Sequence, residues 1–315
     1  MRTTFQYGYG PLLWFGGNGL ALWLIGSQGH SALWLLPLGL AVILLSFLAE
    51  ARLPFHTDWN RDHHDRGSDR WHALINEALN SAGIVLLPLL AGALTLWPVW
   101  PTHWLLWTQW LLALVVADAG ITLMHWLSHR RPLLWRLHAV HHSAPRLYGF
   151  NGLMKHPLHQ GVEALGGLLP LLLIGLPAQV GALLAFSIAL QLLLQHSNVD
   201  MKMGPLRHLF AWAPVHRLHH LRYGRAGDVN FALFFPLWDR LLSTAMWLPD
   251  YRLRADDVGI GAQPDYPRDY RAQLSAPWRA LPEQPGLAQP SVELATSLQR
   301  HHPQLRQRQV GADAQ

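Results

Sequence analysis

The chain has 315 residues, of which 50% are hydrophobic and only 14% are charged, and its formal net charge is +5. A soluble domain usually carries about 25% charged residues, so this composition argues against an ordinary soluble enzyme. The absence of cysteine excludes disulfides, thiolate-ligated metals and cysteine-ligated iron–sulfur clusters. The excess of arginine is better explained by contact with lipid headgroups than with nucleic acid, and we expect no nucleic-acid partner.

Long uncharged apolar segments predict membrane helices. Residues 3–49 and 164–199 contain no Asp, Glu, Lys or Arg, and Glu77 is the one such residue in 71–117. About 20 apolar residues cross the hydrocarbon core of a bilayer. The sequence therefore predicts an all-α integral membrane bundle of about four to six transmembrane helices, with a cytoplasmic helical cap rich in histidine. In chain order, the predicted apolar segments are 11–28, 31–49, 73–98, 104–128 and a hairpin at 161–195 that breaks near Gly175-Leu176-Pro177.

The distribution of basic residues predicts a topology. Nearly all Lys and Arg fall in 50–72, in 129–160 and after 196, and the positive-inside rule places these segments in the cytoplasm with both termini. The first residues do not have the pattern of a cleavable signal peptide. We divide the chain into N-terminal membrane helices at 1–110, a catalytic region at 111–250 and a peripheral C-terminal segment with a disordered tail at 251–315.

Twenty histidines occur in the chain, and many fall in regularly spaced boxes. His125 and His129 lie four apart at the end of the 104–128 segment. Two further boxes have the spacing H-x2-HH. On a helix, positions i, i+3 and i+4 share one face, so each of these boxes is expected to point its three side chains the same way. One box could arise by chance, but three on one predicted side of the membrane indicate a metal site. The two H-x2-HH boxes are His138, His141 and His142, and His216, His219 and His220.

Imidazole chemistry suits a site for two metal ions. Neutral imidazole binds iron and zinc well, and many such ligands together add no negative charge. Asp118 lies seven residues before His125, and we expect its carboxylate to accept the second ring N–H of a ligand histidine. His156, before Pro157, and His196, where the hairpin ends, are further candidate ligands, and His159 is a weaker one.

The loop from His56 to His72 is also rich in histidine and aspartate. Two interpretations are open for it, a second metal site and a solvated loop of mixed charge, and the sequence favours the solvated loop.

The order of these motifs resembles the fatty acid hydroxylase, or sterol desaturase, superfamily of membrane-bound histidine-box di-iron oxygenases. The resemblance is close from about residue 115 to 245. Beyond the histidines, it rests on Pro132 and Trp135 between the first two boxes, Pro214 before the last box, the D-x-N-[FY] element Asp228-Val229-Asn230-Phe231, and the closing element Leu237-Trp238-Asp239-Arg240. Three positions depart from the family pattern: Trp126 for a common Arg, His159 near a common acidic position, and Ser243 for the usual Gly.

The resemblance implies hydroxylation, desaturation or ether cleavage of a lipid: a fatty acyl chain, a sterol or hopanoid, a carotenoid or an ether lipid. It implies two iron ions, O2 as co-substrate and an external electron donor such as a ferredoxin or a cytochrome b5-like protein. Asp118, Asn230 and Asp239 would support the ligands or the fold. The implied metal ligands are His125, His129, His138, His141, His142, His156, His196, His216, His219 and His220.

Two other functions remain open from the sequence. A zinc-dependent membrane hydrolase would need a general base, commonly within H-E-x-x-H, and that motif does not occur in the sequence. A metal transporter or other non-catalytic metal-binding protein would place ionisable residues near the middle of the bilayer. Here the boxes fall at the ends of the apolar segments, whose centres are almost wholly apolar.

Overall fold

The computed structural model describes residues 2–279 and 288–303, and most of these residues are helical. Within them, extended pairing is limited to two isolated bridges, Pro54 with Val199 and Leu221 with Val258. The all-α prediction is therefore confirmed for the described part of the chain.

The N-terminal part forms a long helical run and two further helices. The run extends from residue 2 to 27 and contains two π-helical segments. It begins about nine residues before the predicted apolar segment at 11–28. In order, the elements are α1 (Arg2–Pro11), a π segment (Leu12–Gly16), α2 (Gly17–Leu22), a second π segment (Trp23–Ser27), α3 (Leu35–Arg52) and α4 (Arg66–Leu94).

The helices that follow carry most of the histidine boxes: α5 (Leu106–Ser128), α6 (Pro132–His142), α7 (Pro157–Leu173) and α8 (Ala178–His196). Proline occupies the first position of α6 and of α7, where its missing N–H costs no helical hydrogen bond. Between α7 and α8, Gly175 has φ +89°, a conformation that glycine adopts without a steric penalty. The predicted break of the hairpin is thus confirmed.

The C-terminal part is made of short helices and turns: α9 (Ala213–His216), α10 (Leu237–Leu241), α11 (Tyr270–Ser275) and α12 (Val292–His301). His301 and His302 lie at the end of α12. The predicted disordered tail falls largely on 304–315, which, like 280–287, lies outside the described residues.

Three helices of the described chain are long and apolar enough to cross a membrane: Ala32–Arg52, Leu106–Ser128 and Ala178–His196. They differ in burial. In α8, 72% of the apolar stretch is buried inside the protein, whereas the figure is 17% for the 32–52 helix. α8 is therefore the central helix, and α3 presents most of its apolar surface outward, as a lipid-facing helix does.

The crossing of α5 and α7 depends on glycine. A Cβ atom at Gly120 would lie 2.0 Å from the carbonyl oxygen of Gly166, and one at Gly166 would lie 2.4 Å from Cγ of Met124. Small residues allow two membrane helices to approach to backbone contact. This close crossing sets the position of α7 beside the half of α5 that ends at the first histidine box.

We predict that Gly120→Ala lowers the free energy of unfolding by about 1–3 kcal/mol, because the added methyl must push α7 away. Thermal unfolding in detergent measures the change. Gly161→Ala is the matched control on α7, since nothing lies within 4 Å of a Cβ built there. Equal melting temperatures for the two variants would contradict the close crossing.

Candidate metal centre

Five buried or nearly buried histidines from three segments form the first cluster. Their Nε2 atoms converge from the end of α5, from α6 and from the turn after α9. The Nε2 atom of His219 lies 2.9 Å from that of His125 and 2.9 Å from that of His142. His129 Nε2 lies 3.2 Å from His142 Nε2. The members of this five-histidine cluster are His125, His129, His138, His142 and His219.

Four buried histidines form a second cluster directly beside the first. His196, the last residue of α8, has its Nε2 atom 3.2 Å from that of His141 and 3.2 Å from that of His216. The ring centroids of His142 and His220 are 4.8 Å apart across the two clusters. The members of this four-histidine cluster are His141, His196, His216 and His220.

Each H-x2-HH box is divided between the two clusters, so the expectation that each box points one way was wrong. Successive residues of an α-helix are about 100° apart. His141 and His142 therefore diverge, and His138 faces the same cluster as His142. The last box also divides: His219 belongs to the first cluster, and His216 and His220, on either side of the junction between α9 and the 3₁₀ turn at Arg217–His220, belong to the second. One short box thus supplies ligands to two sites.

Hydrogen bonds at Nδ1 establish which ring nitrogen is free. The Nδ1 atoms of His125 and His219 lie 2.7 and 2.8 Å from the carbonyl oxygens of Phe231 and Val229. A carbonyl only accepts, so Nδ1 carries the proton and Nε2 of the neutral ring has a lone pair. The two lone pairs face each other at 2.9 Å. Such a contact is repulsive unless a cation lies between the rings.

The four-histidine cluster has the same arrangement. The Nδ1 atom of His141 donates to the carbonyl of Met154 at 3.0 Å, and that of His196 donates to the carbonyl of Leu192 at 3.0 Å. Their Nε2 atoms, 3.2 Å apart, therefore also oppose two lone pairs.

The donor set fits a transition-metal ion in each cluster. Nitrogen ligands about 2.1 Å from one ion are about 3.0 Å apart when they lie at right angles and about 3.4 Å apart in a tetrahedron. The Nε2 separations of 2.9–3.2 Å in the first cluster lie in or close to this range. Burial holds the pKa of His138 and His142 well below the usual histidine value, and neighbouring histidines lower it further. Both rings are therefore neutral, as metal ligands must be.

A narrow cavity of about 20 Å³ adjoins both clusters. His125 and His138 line it from the first cluster, and His196 lines it from the second. Apolar side chains, among them Leu192 and Phe231, form part of the wall, and Lys155, Glu163 and Gln195 are further polar members. A space of this size holds about one water molecule, so the histidines face a confined chamber.

Comparison with known proteins identifies the family of the chain. The family model described as fatty acid hydroxylase matches residues 110–244. An ornithine lipid hydroxylase, OlsE of Rhizobium tropici, is 31% identical over 255 residues, which cover 78% of this chain and 76% of that protein. The chain belongs to the fatty acid hydroxylase family. It is accordingly an oxidoreductase.

Two other relatives of the family match a shorter region. An alkylglycerol monooxygenase of Danio rerio is 30% identical over 138 residues, or 44% of this chain and 30% of that protein. Sphinganine C4-monooxygenase 1 of Arabidopsis thaliana is 27% identical over 162 residues, or 50% of this chain and 60% of that protein. No solved structure matches the chain significantly.

Asp118, which matches the family Asp, does not contact a ring nitrogen in the way we expected from the sequence. Its Oδ1 accepts the backbone N–H groups of Leu233 and Phe234 at 3.0 and 2.8 Å, and its Oδ2 accepts that of Phe235 at 2.8 Å. The expected bond to a ligand histidine was therefore wrong. The carboxylate instead fixes the backbone segment after Phe231, whose carbonyl holds His125.

Asp239 and Asn230 hold the same segment from its other end. Asp239 accepts the N–H groups of Phe231 and Ala232 at 2.7 and 3.0 Å. Asn230 has φ +51°, and its side chain bonds the backbone of Val215 and Met246. Both residues thus act on the fold that carries the ligands and not on the cavity itself.

Asp228 is a supporting residue whose role the sequence did not reveal. Its Oδ1 accepts from Nδ1 of His129 at 2.9 Å. Burial raises the pKa of Asp228 to about 6, so the carboxylate remains largely ionised at pH 7. The sequence feature that could have revealed this role is the position of Asp228 in the D-x-N element of the family.

Lys155 and Glu163 form a further pair that sequence reasoning missed. Lys155 Nζ donates to Glu163 Oε2 at 2.5 Å, and both residues line the cavity between the clusters. His159 lies on the same side of α7, where its Nε2 is 2.9 Å from Oγ of Ser128 and its ring packs against His138 at 4.4 Å. None of the three belongs to a cluster.

His156 lies outside both clusters. Its Nδ1 accepts the N–H of Leu158 at the start of α7, and its Nε2 contacts the carbonyl of Leu274 at 3.2 Å. Proline at the next position makes His156 the N-cap of the helix, and this role turns the ring away from the cavity.

The 56–72 loop is largely exposed, as the sequence favoured, but a few of its side chains are buried. Asp65 and Asp69 are buried, and Arg146 donates to Asp65 through Nε at 2.7 Å and Nη2 at 2.9 Å. The hydroxyl of Tyr148 donates to Asp69 at 2.6 Å. Among the described residues, no group in this loop meets the spacing of a metal site. The loop therefore anchors α4 to the segment after α6.

We predict that Asp118→Leu lowers the free energy of unfolding by about 2–5 kcal/mol, because three buried N–H groups lose their acceptor. Thermal unfolding in detergent measures the loss. Asp58→Leu, at an exposed position, is the control and should change the melting temperature little. A stable Asp118→Leu variant would show that the segment from Leu233 to Phe235 does not depend on this carboxylate.

Proposed function

We propose that this protein is a membrane-bound di-iron oxygenase that hydroxylates a membrane lipid with O2 and electrons from a separate carrier. The observation that supports it most directly is the pair of adjacent imidazole clusters with opposed Nε2 lone pairs. Membership of the fatty acid hydroxylase family supports the same conclusion.

Nine histidines would hold the two ions. The five-histidine cluster would bind one ion and the four-histidine cluster the other. Among the predicted ligands, His156 is left out of this set because it lies outside both clusters. The proposed ligands are His125, His129, His138, His142 and His219 for one ion, and His141, His196, His216 and His220 for the other.

The bound irons, with O2 and external electrons, would supply the oxidant for an unactivated C–H bond. The chain itself supplies geometry. Backbone carbonyls of Val229 and Phe231 fix the tautomers of two ligands. Leu192 and Leu233 line the cavity and keep bulk water away from the ligands, which limits unproductive side reactions.

A lipid substrate is supported by the scaffold and by the relatives. The histidine clusters lie at the ends of helices long and apolar enough to span a bilayer, where a membrane-embedded molecule can reach them. The compared relatives are named for an ornithine lipid, an alkylglycerol and sphinganine. Their names are hydroxylase and monooxygenase, so hydroxylation is favoured here over desaturation.

The membrane arrangement is part of the proposal. There are three candidate spans in the described part of the chain. Crossings by the helical run at 2–27, by α4 and by α7 would bring the total to six. The histidines and both termini would lie on the cytoplasmic side, where the basic segments are. The electron donor would be a ferredoxin or a cytochrome b5-like protein. The division at residues 110 and 250 stays a prediction.

We predict that the purified protein contains about two irons per chain. His142→Ala and His220→Ala should each reduce the iron content to about one or less, because a cluster loses a ligand. His156→Ala is the matched control and should keep the full iron content. Elemental analysis with Mössbauer spectroscopy measures the number and type of ions. One zinc per chain, or a metal content unaffected by the two cluster variants, would overturn the di-iron proposal.

A second prediction concerns the source of the oxygen atom. With membrane lipid extract, a reductant and a ferredoxin system, the product should contain one ¹⁸O atom from ¹⁸O₂ and none from labelled water. His219→Ala should form at least about a hundredfold less product, since the first cluster loses a central ligand. Mass spectrometry of the lipids reads the label. Incorporation from water alone would indicate hydrolysis and contradict an oxygenase.

A further inference from the structure

A second and larger cavity, of about 310 Å³, lies apart from the histidine clusters. It is an open pocket between the last turns of α3, the first turns of α4 and the segment at 148–150. Phe47 and Ala51 line it from α3, Arg66 and Arg70 from α4, and Tyr148 from the third segment. Its volume is in the range of small-molecule sites.

Two arginines at this cavity are available for a ligand. Arg66 and Arg70 are one helical turn apart, both are exposed, and neither guanidinium has a hydrogen bond or ion pair within residues 2–279 and 288–303. Arg146 also lines the cavity, but its guanidinium is occupied by Asp65 and by the carbonyl of Trp59. The cavity therefore presents two positive charges, of which Arg66 also interacts electrostatically with the exposed carboxylate of Asp62.

The acidic groups nearby are already engaged. Glu50, which lines the cavity, accepts the N–H groups of Gly149 and Asn198 at 2.9 and 3.0 Å. Asp69 accepts from the hydroxyl of Tyr148. Asp62, one turn before Arg66, accepts backbone N–H groups at the start of α4. These contacts leave Arg66 and Arg70 as the groups that a negatively charged ligand would meet.

An apolar stripe leads along α3 to the cavity. Leu40, Leu44, Phe47 and Ala51 follow one another at intervals of four, three and four residues, so they share one face of the helix. Leu40 is 58% exposed and Leu44 is 61% exposed. Because this helix is a candidate membrane span that ends at Arg52, the stripe faces lipid and meets the arginines where the apolar stretch stops.

We propose that this cavity binds the anionic headgroup of a membrane lipid, a phosphate or a carboxylate, with an acyl chain along the α3 stripe. Two guanidinium groups at such a spacing can bind the oxygens of either group through paired, charge-assisted hydrogen bonds. The position at the end of an apolar helix favours a lipid over a free anion, since lipid alone uses both the stripe and the charges.

The segment at 148–150 also packs against α8, the helix that ends at His196. A Cβ atom at Gly149 would be 3.5 Å from Oε1 of Glu50 on one side and 2.6 Å from Cδ1 of Leu193 on the other. Leu193 precedes His196 by three residues on α8. Binding at this cavity requires neither metal nor turnover.

The test compares lipid binding to the detergent-purified protein by native mass spectrometry. The probes are phosphatidylglycerol and phosphatidylcholine with identical acyl chains. We expect preferential binding of phosphatidylglycerol, and Arg66→Gln with Arg70→Gln should weaken it about tenfold or more. Arg271→Gln with Arg279→Gln removes the same charge at two exposed positions elsewhere and should leave binding unchanged.

A second variant and a soluble anion separate the remaining outcomes. Ala51→Trp fills the cavity without changing charge and should also abolish the preference. Unchanged binding in this variant, or in the arginine double variant, would overturn the proposal. Displacement of the lipid by millimolar inorganic phosphate would identify a free-anion site instead and overturn the lipid assignment. A failed iron analysis would leave this result intact, because binding is measured without catalysis.

Discussion

The arrangement of the centre depends on one electrostatic constraint, the mutual repulsion of imidazole lone pairs. In each cluster two Nε2 atoms whose rings donate through Nδ1 to carbonyls lie about 3 Å apart, at 2.9 Å between His125 and His219 and at 3.2 Å between His141 and His196. Buried neutral rings would not remain in this geometry by packing alone. The proposed metal ions would relieve this repulsion, and the helices, the carbonyl partners and the close crossing of α5 and α7 keep the rings in this arrangement.

The backbone from Phe231 to Phe235 shows how this rigidity is obtained. A segment without regular structure has no helical or strand partners for its N–H groups, and a buried N–H without an acceptor is costly. Asp118 and Asp239 accept from this segment at five positions. Two carboxylates that the sequence suggested as supports of the ligands or the fold are thus used to fix the backbone whose carbonyl holds His125.

The sequence predicted the long apolar helices and the break near Gly175 because uncharged apolar runs and a glycine between them are local features. It also singled out the nine histidines that the fold brings together. It did not predict how one box divides between two sites. The angle of about 100° between the side chains of His141 and His142 has a consequence only once the positions of both clusters in the fold are known. The partner of Asp118 could not be predicted either, since it lies 115 to 117 residues away in the chain.

Most of the groups that orient the imidazoles belong to the main chain, and this has a consequence for how the centre can vary among relatives. Substitution at Met154, Leu192, Val229 or Phe231 exchanges a side chain but leaves the accepting carbonyl in place. Substitutions at these positions therefore keep the hydrogen bonds that orient the rings. Asp228 is different, because its acceptor is encoded by the side chain. A substitution of Asp228 would therefore change the basicity of His129 directly. Position 228 is thus the simplest one through which selection could tune the centre.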